Sequence, residues 1–135
     1  MRIALVVTTY ERPDALAAVL ATVAAQRRAP DEVLVADDGS GPATREAVAR
    51  FAGRTGAPVA YVRQEHAGFR AARLRNLAIV ASRCEYLLFV DGDMLLHPAF
   101  VADHRACARA GCYVQGVRLP LGAAQSRALL DADPA

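Results

Sequence analysis

Lysine is absent from this chain: all sixteen basic residues are arginine, set against fourteen acidic ones for a net charge of +2. With so small an excess, and only Arg63 to Arg83 approaching a basic stripe, the composition reflects biased residue usage and argues against a nucleic-acid partner. Long apolar runs are also missing. The longest candidate, Ala15 to Ala25, reaches about half the length a bilayer requires, so no membrane span is expected. Met1 and Arg2 lead directly into a short apolar run ending at Thr8, too brief for the core of a signal peptide, and the expectation is a cytoplasmic chain. Cysteine is scarce: Cys84, Cys107 and Cys112 are irregularly spaced and odd in number, which excludes a zinc pattern and favours free or buried thiols in a reducing compartment. Three signatures are missing as well. No Gly-x-Gly-x-x-Gly follows the first apolar run, no Gly-x-x-x-x-Gly-Lys occurs and no Gly-x-Ser-x-Gly appears, so dinucleotide, P-loop and α/β-hydrolase readings fall away.

What is present is enough for one domain with a real core, since 54% of the 135 residues are hydrophobic. Arg2 to Val7, Glu32 to Ala36, Pro58 to Val62, Tyr86 to Val90 and Tyr113 to Val117 read as strands. Most are continuously apolar, which suits strands covered on both faces in a parallel sheet. Between them, Leu16, Val19, Leu20 and Val23 have helical spacing behind Pro13, as do Ala47, Val48 and Phe51, and then Leu74, Leu77, Ala78 and Ala81. A last helix is expected from Pro98 to about Ala110, ending at Gly111. The alternation implies an α/β fold: a Rossmann-like open, mainly parallel sheet with helices on both faces. Residues 1–117 form this domain, and 118–135 read as an irregular tail or the start of a further part.

In such sheets ligands bind beyond the carboxyl ends of the strands. Strand one ends in Thr8-Thr9-Tyr10-Glu11-Arg12, strand two in Asp37-Asp38-Gly39-Ser40, and strand four in Asp91-Gly92-Asp93. Two carboxylates two residues apart on an extended chain can converge, and their repulsion is relieved by a hard cation, Mg2+ or Mn2+ rather than zinc. By itself, Asp-x-Asp more often describes a capped turn at a strand end, but its place after Tyr86 to Val90, a buried strand that would hold the pair rigidly, strengthens the metal reading. Asp38 could accept a proton from a base or ribose and Tyr10 could offer a stacking face, while Asp37 to Ser40 also reads as a tight turn before a helix. Arg70 and Arg73 fall on a different helix face from Leu74 and Ala78, available to an anion or simply solvated. His66, His97 and His104 stand alone in sequence, and structural roles are expected for each. Met94, Leu95 and Leu96 read as core.

Taken together, Val6 to Arg12, Val35 to Ser40, Gly68 to Asn76 and Phe89 to Asp93 resemble the family 2 glycosyltransferases of GT-A fold, in order and in spacing. The resemblance implies inverting transfer from a nucleotide sugar, commonly a UDP-sugar, to a glycan or other hydroxyl acceptor, with Mn2+ or Mg2+ bridging protein and diphosphate. By that likeness Thr8 and Tyr10 line the nucleobase pocket, Asp38 contacts the base, Asp91 lies near ribose and phosphates, and Asp93 is the direct metal ligand. Glu11, Gly68, Arg70 and Arg73 complete the expected donor-binding set. The Gly-Phe-Arg-Ala-Ala-Arg-x-Arg-Asn stretch is similar to that of bacterial polysaccharide-forming members. Family members continue well past this length, carrying acceptor contacts and the general base; Asp131 and Asp133 match no family motif, and the base is unassigned. A non-catalytic nucleotide-sugar-binding module is therefore the rival reading. A nucleotidyltransferase would need a glycine-rich basic loop that Thr8 to Arg12 does not provide.

Overall fold

Ile3–Thr9 (β1), Glu32–Asp37 (β2), Val59–Arg63 (β3) and Tyr86–Asp91 (β4) form one sheet of order β3-β2-β1-β4 in the computed structural model, which describes residues 1–132. Every neighbouring pair is parallel. Parallel neighbours cannot be joined by a hairpin, and Pro13–Ala24 (α1), Pro42–Ala52 (α2) and Ala71–Ala81 (α3) supply the crossovers. Phe100–Cys107 (α4) and Ala123–Asp131 (α5) follow. Both α1 and α2 open on proline, whose fixed φ suits the first turn and whose missing N–H would find no helical partner there.

The continuous apolar runs follow from burial on both sides. Ile3, Leu5, Val7, Val33 and Val35 pack with Leu16, Val19 and Leu20 of α1, Val48 and Phe51 of α2 and Val101 of α4. On the opposite face, Ala4, Val6, Leu34 and Ala36 meet Leu74 and Ala78 of α3. The chain winds outward from β1 to β3, and α3 then carries it back across to the far side of β1. Strand order thus reverses between β1 and β4, opening a crevice at their carboxyl ends.

Three expectations are corrected. Tyr113 to Val117 is not a strand: the segment joins no sheet, and Tyr113 and Val117 stand 88% and 93% exposed. A short apolar stretch interrupted by Gln115 and Gly116 becomes a strand only where a neighbour accepts its backbone hydrogen bonds. The last helix of the main domain is shorter than expected, closing at Cys107. The supposedly irregular tail contains α5, begun where the Gly122 amide donates to Gln125 Oε1 at 3.0 Å. Asp131 ends that helix, and Asp133 lies outside the described residues. Of the three apolar residues after Asp93, Leu96 is buried while Leu95 is exposed. All three cysteines are free, and no helix among the described residues is long and apolar enough to cross a membrane.

Leu5 is fully buried at the centre of the larger cluster. Leu5→Ala is expected to cost about 2–5 kcal/mol through lost burial and the cavity left behind, read as a lower urea midpoint at unchanged slope.

Candidate functional site at the carboxyl ends of the strands

Register brings the polar strand ends together. Thr8 lies beside Asp91 across the β1–β4 ladder, Thr9 beside Asp37 across β1–β2, and Asp37 beside Arg63 across β2–β3. Above them opens a cavity of about 520 Å³ whose walls include Thr8, Tyr10, Asp38, His66, Arg75 and Asp91. A second groove, of about 470 Å³, runs between α1 and α2 beside Leu130 of α5; alanines, Leu20 and Phe51 line it together with Asp14, Arg50 and Arg54.

Asp91 is held at one wall. Its Oδ1 accepts from Thr8 Oγ1 at 3.1 Å and from Arg75 at 3.2 Å. The turn that follows is pressed against β1 so closely that a Cβ on Gly92 would sit 2.7 Å from the Thr8 carbonyl oxygen, so glycine is needed there for proximity. Thr9 Oγ1 is buried at the same place without a hydrogen-bond partner. Asp93 is exposed in that turn, outside the cavity wall. Its charge reaches Arg12, whose guanidinium is held above its usual range first by Asp14 and in smaller part by Asp93. Among the described residues no three of His, Cys, Asp and Glu gather as a metal cage. Two aspartates at a strand end nevertheless fit Mg2+ or Mn2+, which take oxygen ligands and commonly complete their shell with water and phosphate oxygens. The unpartnered Thr9 hydroxyl adds one more hard oxygen at that spot.

Asp38 is engaged at both oxygens. Gln64 Nε2 donates to Oδ1 at 2.5 Å, and His66 Nδ1 lies 2.8 Å from Oδ2. Burial pushes this carboxyl up, but the bonds from Gln64 and His66 and the charge of Arg70 outweigh it and hold Asp38 below the usual carboxylate range. Gln64, only 4% exposed, is itself oriented by Arg73, which donates to its Oε1 at 2.9 Å. The Arg70 guanidinium donates to the Glu65 carbonyl. Tyr10 stacks on His66, with ring centroids 4.2 Å apart and planes within 10°.

Behind this surface sits Asp37, fully buried. It accepts from the Ser40 amide at 3.1 Å, from the Ser40 hydroxyl and from Tyr61 at 2.5 Å, with Arg63 Nε at 3.7 Å. Burial and then the bond to Asp37 push the Tyr61 phenol up to about 12. Ser40 Oγ also accepts from the Glu11 amide at 2.8 Å, and Glu11 Oε1 accepts from the Gly41 amide at 2.8 Å. The loops after β1 and β2 are thereby tied to one another, with Glu11 at φ 49°.

Of the residues singled out in the sequence, Thr8, Tyr10, Asp38, Gly68 and Asp91 line one cavity. Glu11, Arg70 and Arg73 brace its loops from behind, and Asp93 projects from the neighbouring turn. Sequence reasoning passed over Gln64, gave His66 a structural role, and left open which of Arg70, Arg73 and Arg75 would face a phosphate; Arg75 is the one on the cavity wall. The signal was available for Gln64 and His66: Gln64-Glu65-His66 directly follows β3, and the strand-end rule applied to β1, β2 and β4 covers that strand as well. Of the other histidines, His104 packs between Tyr86 and Phe100, and His97 Nδ1 accepts from the Ala99 amide, both structural as expected.

The open parallel α/β sheet gathers acidic and aromatic groups at its switch point, where ligands of such folds bind, and similarity to known proteins narrows the class. The glycosyl transferase family 2 model matches residues 4–119, and the chain belongs to that family. It is 35% identical to the chondroitin synthase of Escherichia coli over 103 residues, which is 76% of this chain and 15% of that protein. Against the validoxylamine A glucosyltransferase of Streptomyces hygroscopicus subsp. limoneus it is 37% identical over 101 residues, covering 73% of this chain and 22% of that one. Among solved structures, S. aureus TarS in complex with UDP superimposes with a TM-score of 0.70 at 26% identity, over 78% of this chain and 31% of that one. The chain thus spans less than a quarter of the length of these two curated relatives.

Two substitutions probe the scaffold. Gly92→Ala is expected to push the turn off Thr8 and destabilise the fold by about 1–3 kcal/mol, seen in a denaturant titration. Tyr61→Phe takes a donor from buried Asp37 and should cost about 1–3 kcal/mol at neutral pH. Because folding raises the phenol from 10.0 to about 12, the wild-type advantage is complete below pH 10 and is lost as pH climbs toward 12. Stability curves of the two proteins should converge across that window.

Proposed function

We propose that this chain is the donor-binding part of a metal-dependent, inverting glycosyltransferase that uses a UDP-sugar to build a polysaccharide or glycoconjugate. The observation that carries the reading is the meeting of Tyr10, Asp38 and Asp91 around one cavity, although they come from three different strand ends. Family membership and the likeness to a UDP-bound structure support it.

Tyr10 and Asp38 suit the nucleoside: one gives an aromatic face, the other an ionised acceptor for a base or ribose proton. The diphosphate would lie toward Arg75 and the first amides of α3, where Ala71 lines the same cavity and the helix end favours an anion. Asp91 and Asp93 would hold Mn2+ or Mg2+, which when bound offsets charge growing on the departing nucleotide diphosphate. Thr8 and Arg75 keep Asp91 oriented by binding its Oδ1. Arg73 acts at one remove, by orienting the amide that fixes Asp38. The acceptor hydroxyl attacks the anomeric carbon as the carbon–oxygen bond to the diphosphate breaks, and its proton passes to a base that no described residue is assigned to provide. Asp131, on α5, lies outside the cavity. A donor-binding module without turnover is the second reading, which transfer and hydrolysis assays on the chain would separate from the first.

Calorimetry with UDP and MnCl2 tests the site. Asp38→Asn should weaken UDP by about 10- to 100-fold, the cost of losing a charge-assisted acceptor. Asp93→Ala should abolish the dependence on manganese while leaving the fold intact, as expected for an exposed residue. Unchanged binding in both variants would remove the basis for the proposal.

A further inference from the structure

His66 makes, within the chain, the two contacts that the preceding reading gives to a nucleobase. Its ring lies parallel to Tyr10 at 4.2 Å, and its Nδ1 is 2.8 Å from Asp38 Oδ2. Since an ionised carboxylate only accepts, the hydrogen between them belongs to the imidazole. A planar heterocycle stacked on Tyr10 and donating a ring N–H to Asp38 is a fair description of a bound base. We propose that His66 is an internal stand-in for the nucleobase, displaced when the donor binds, and that it sets donor affinity by this competition.

The surrounding contacts leave little room for both occupants. Gln64, buried and itself held by Arg73, binds Asp38 Oδ1 and fixes the carboxylate's orientation, leaving Oδ2 to the imidazole. The backbone of His66 cannot retreat through Gly39: a Cβ built there would already lie 2.7 Å from the His66 amide nitrogen. Next to it the Glu65 carbonyl is tied to Arg70. The side chain, by contrast, is 39% exposed and borders the open cavity, so it can leave by rotating about its own bonds. Displacement is thus a rotamer change against a fixed loop. Its cost is one stacking contact and one charge-assisted hydrogen bond, subtracted from whatever the incoming base gains. On this account the imidazole keeps Asp38 paired and oriented in the absence of donor, and it selects for bases that restore both contacts.

The inference rests on the nucleoside occupying Tyr10 and Asp38, and the experiment separates the two claims. UDP is titrated calorimetrically in MnCl2 into the whole chain as wild type, His66→Ala, His66→Ser, Asp38→Asn and the double variant His66→Ala/Asp38→Asn, each checked for native circular dichroism. Either His66 variant is expected to bind UDP about five-fold more tightly than wild type. Equal or weaker binding by the folded His66 variants, with Asp38→Asn still impaired, overturns the competition and leaves the nucleoside site standing. Because Asp38 serves both occupants, its loss is also read without the imidazole: if His66→Ala/Asp38→Asn binds UDP as His66→Ala does, the site assignment itself fails and the competition with it. A UDP complex whose structure keeps the imidazole on Tyr10 and Asp38 also overturns it.

Discussion

β1 is hydrogen-bonded along both edges, to β2 from Ala4 to Thr9 and to β4 from Ile3 to Thr8. A slip of β1 by one residue against both neighbours would turn Leu5 and Val7 away from α1 and replace them with the side chains meant for α3. The same slip would separate Thr8 from Asp91 and Thr9 from Asp37. Core packing and site geometry therefore rest on one register, and the free energy that protects the first also protects the second.

Buried polar groups carry the next level of order. Asp37 is fully enclosed, a costly place for a carboxyl group unless hydrogen-bond donors surround it. Ser40 and Tyr61 meet that need. Ser40 in turn receives the Glu11 amide, so satisfying one buried group locks the loops after β1 and β2 together. A parallel chain of contacts runs from Arg73 through Gln64 to Asp38. Groups facing the cavity are in this way oriented by partners behind them, and rigid orientation before binding reduces the cost of binding. Arg70, Arg73 and Glu11 contribute through these partners, whereas Arg75 faces the cavity itself.

Much of this was legible without coordinates. Burial on both faces leaves continuous apolar runs, and those runs marked all four strands of the sheet to within a residue or two. The strand-end rule then picked out Tyr10, Asp38 and Asp91, which share a cavity. Tyr113 to Val117 carries a similar local pattern and forms no strand, since pattern records what a residue prefers to touch and not whether a neighbour is there to be touched. For His66 the strand-end rule gave its place after β3 but not its partners, which are Asp38, 28 positions away, and Tyr10, on another loop. Arg70, just before α3, and Arg73 and Arg75 within it look alike along the chain, and only the packing of the helix on the sheet decides which one meets Asp91.

The amino-acid order alone determined the α/β class, the strands, the crossover helices and the polar endings, because these follow from periodicity and local backbone preference. Tertiary structure alone decided which carboxylates are already paired, which arginine faces the cavity and which ring lies on Tyr10. Those outcomes depend on distances between segments that local preference does not encode, set only when the sheet closes its register and the loops compete for the same hydrogen-bond partners.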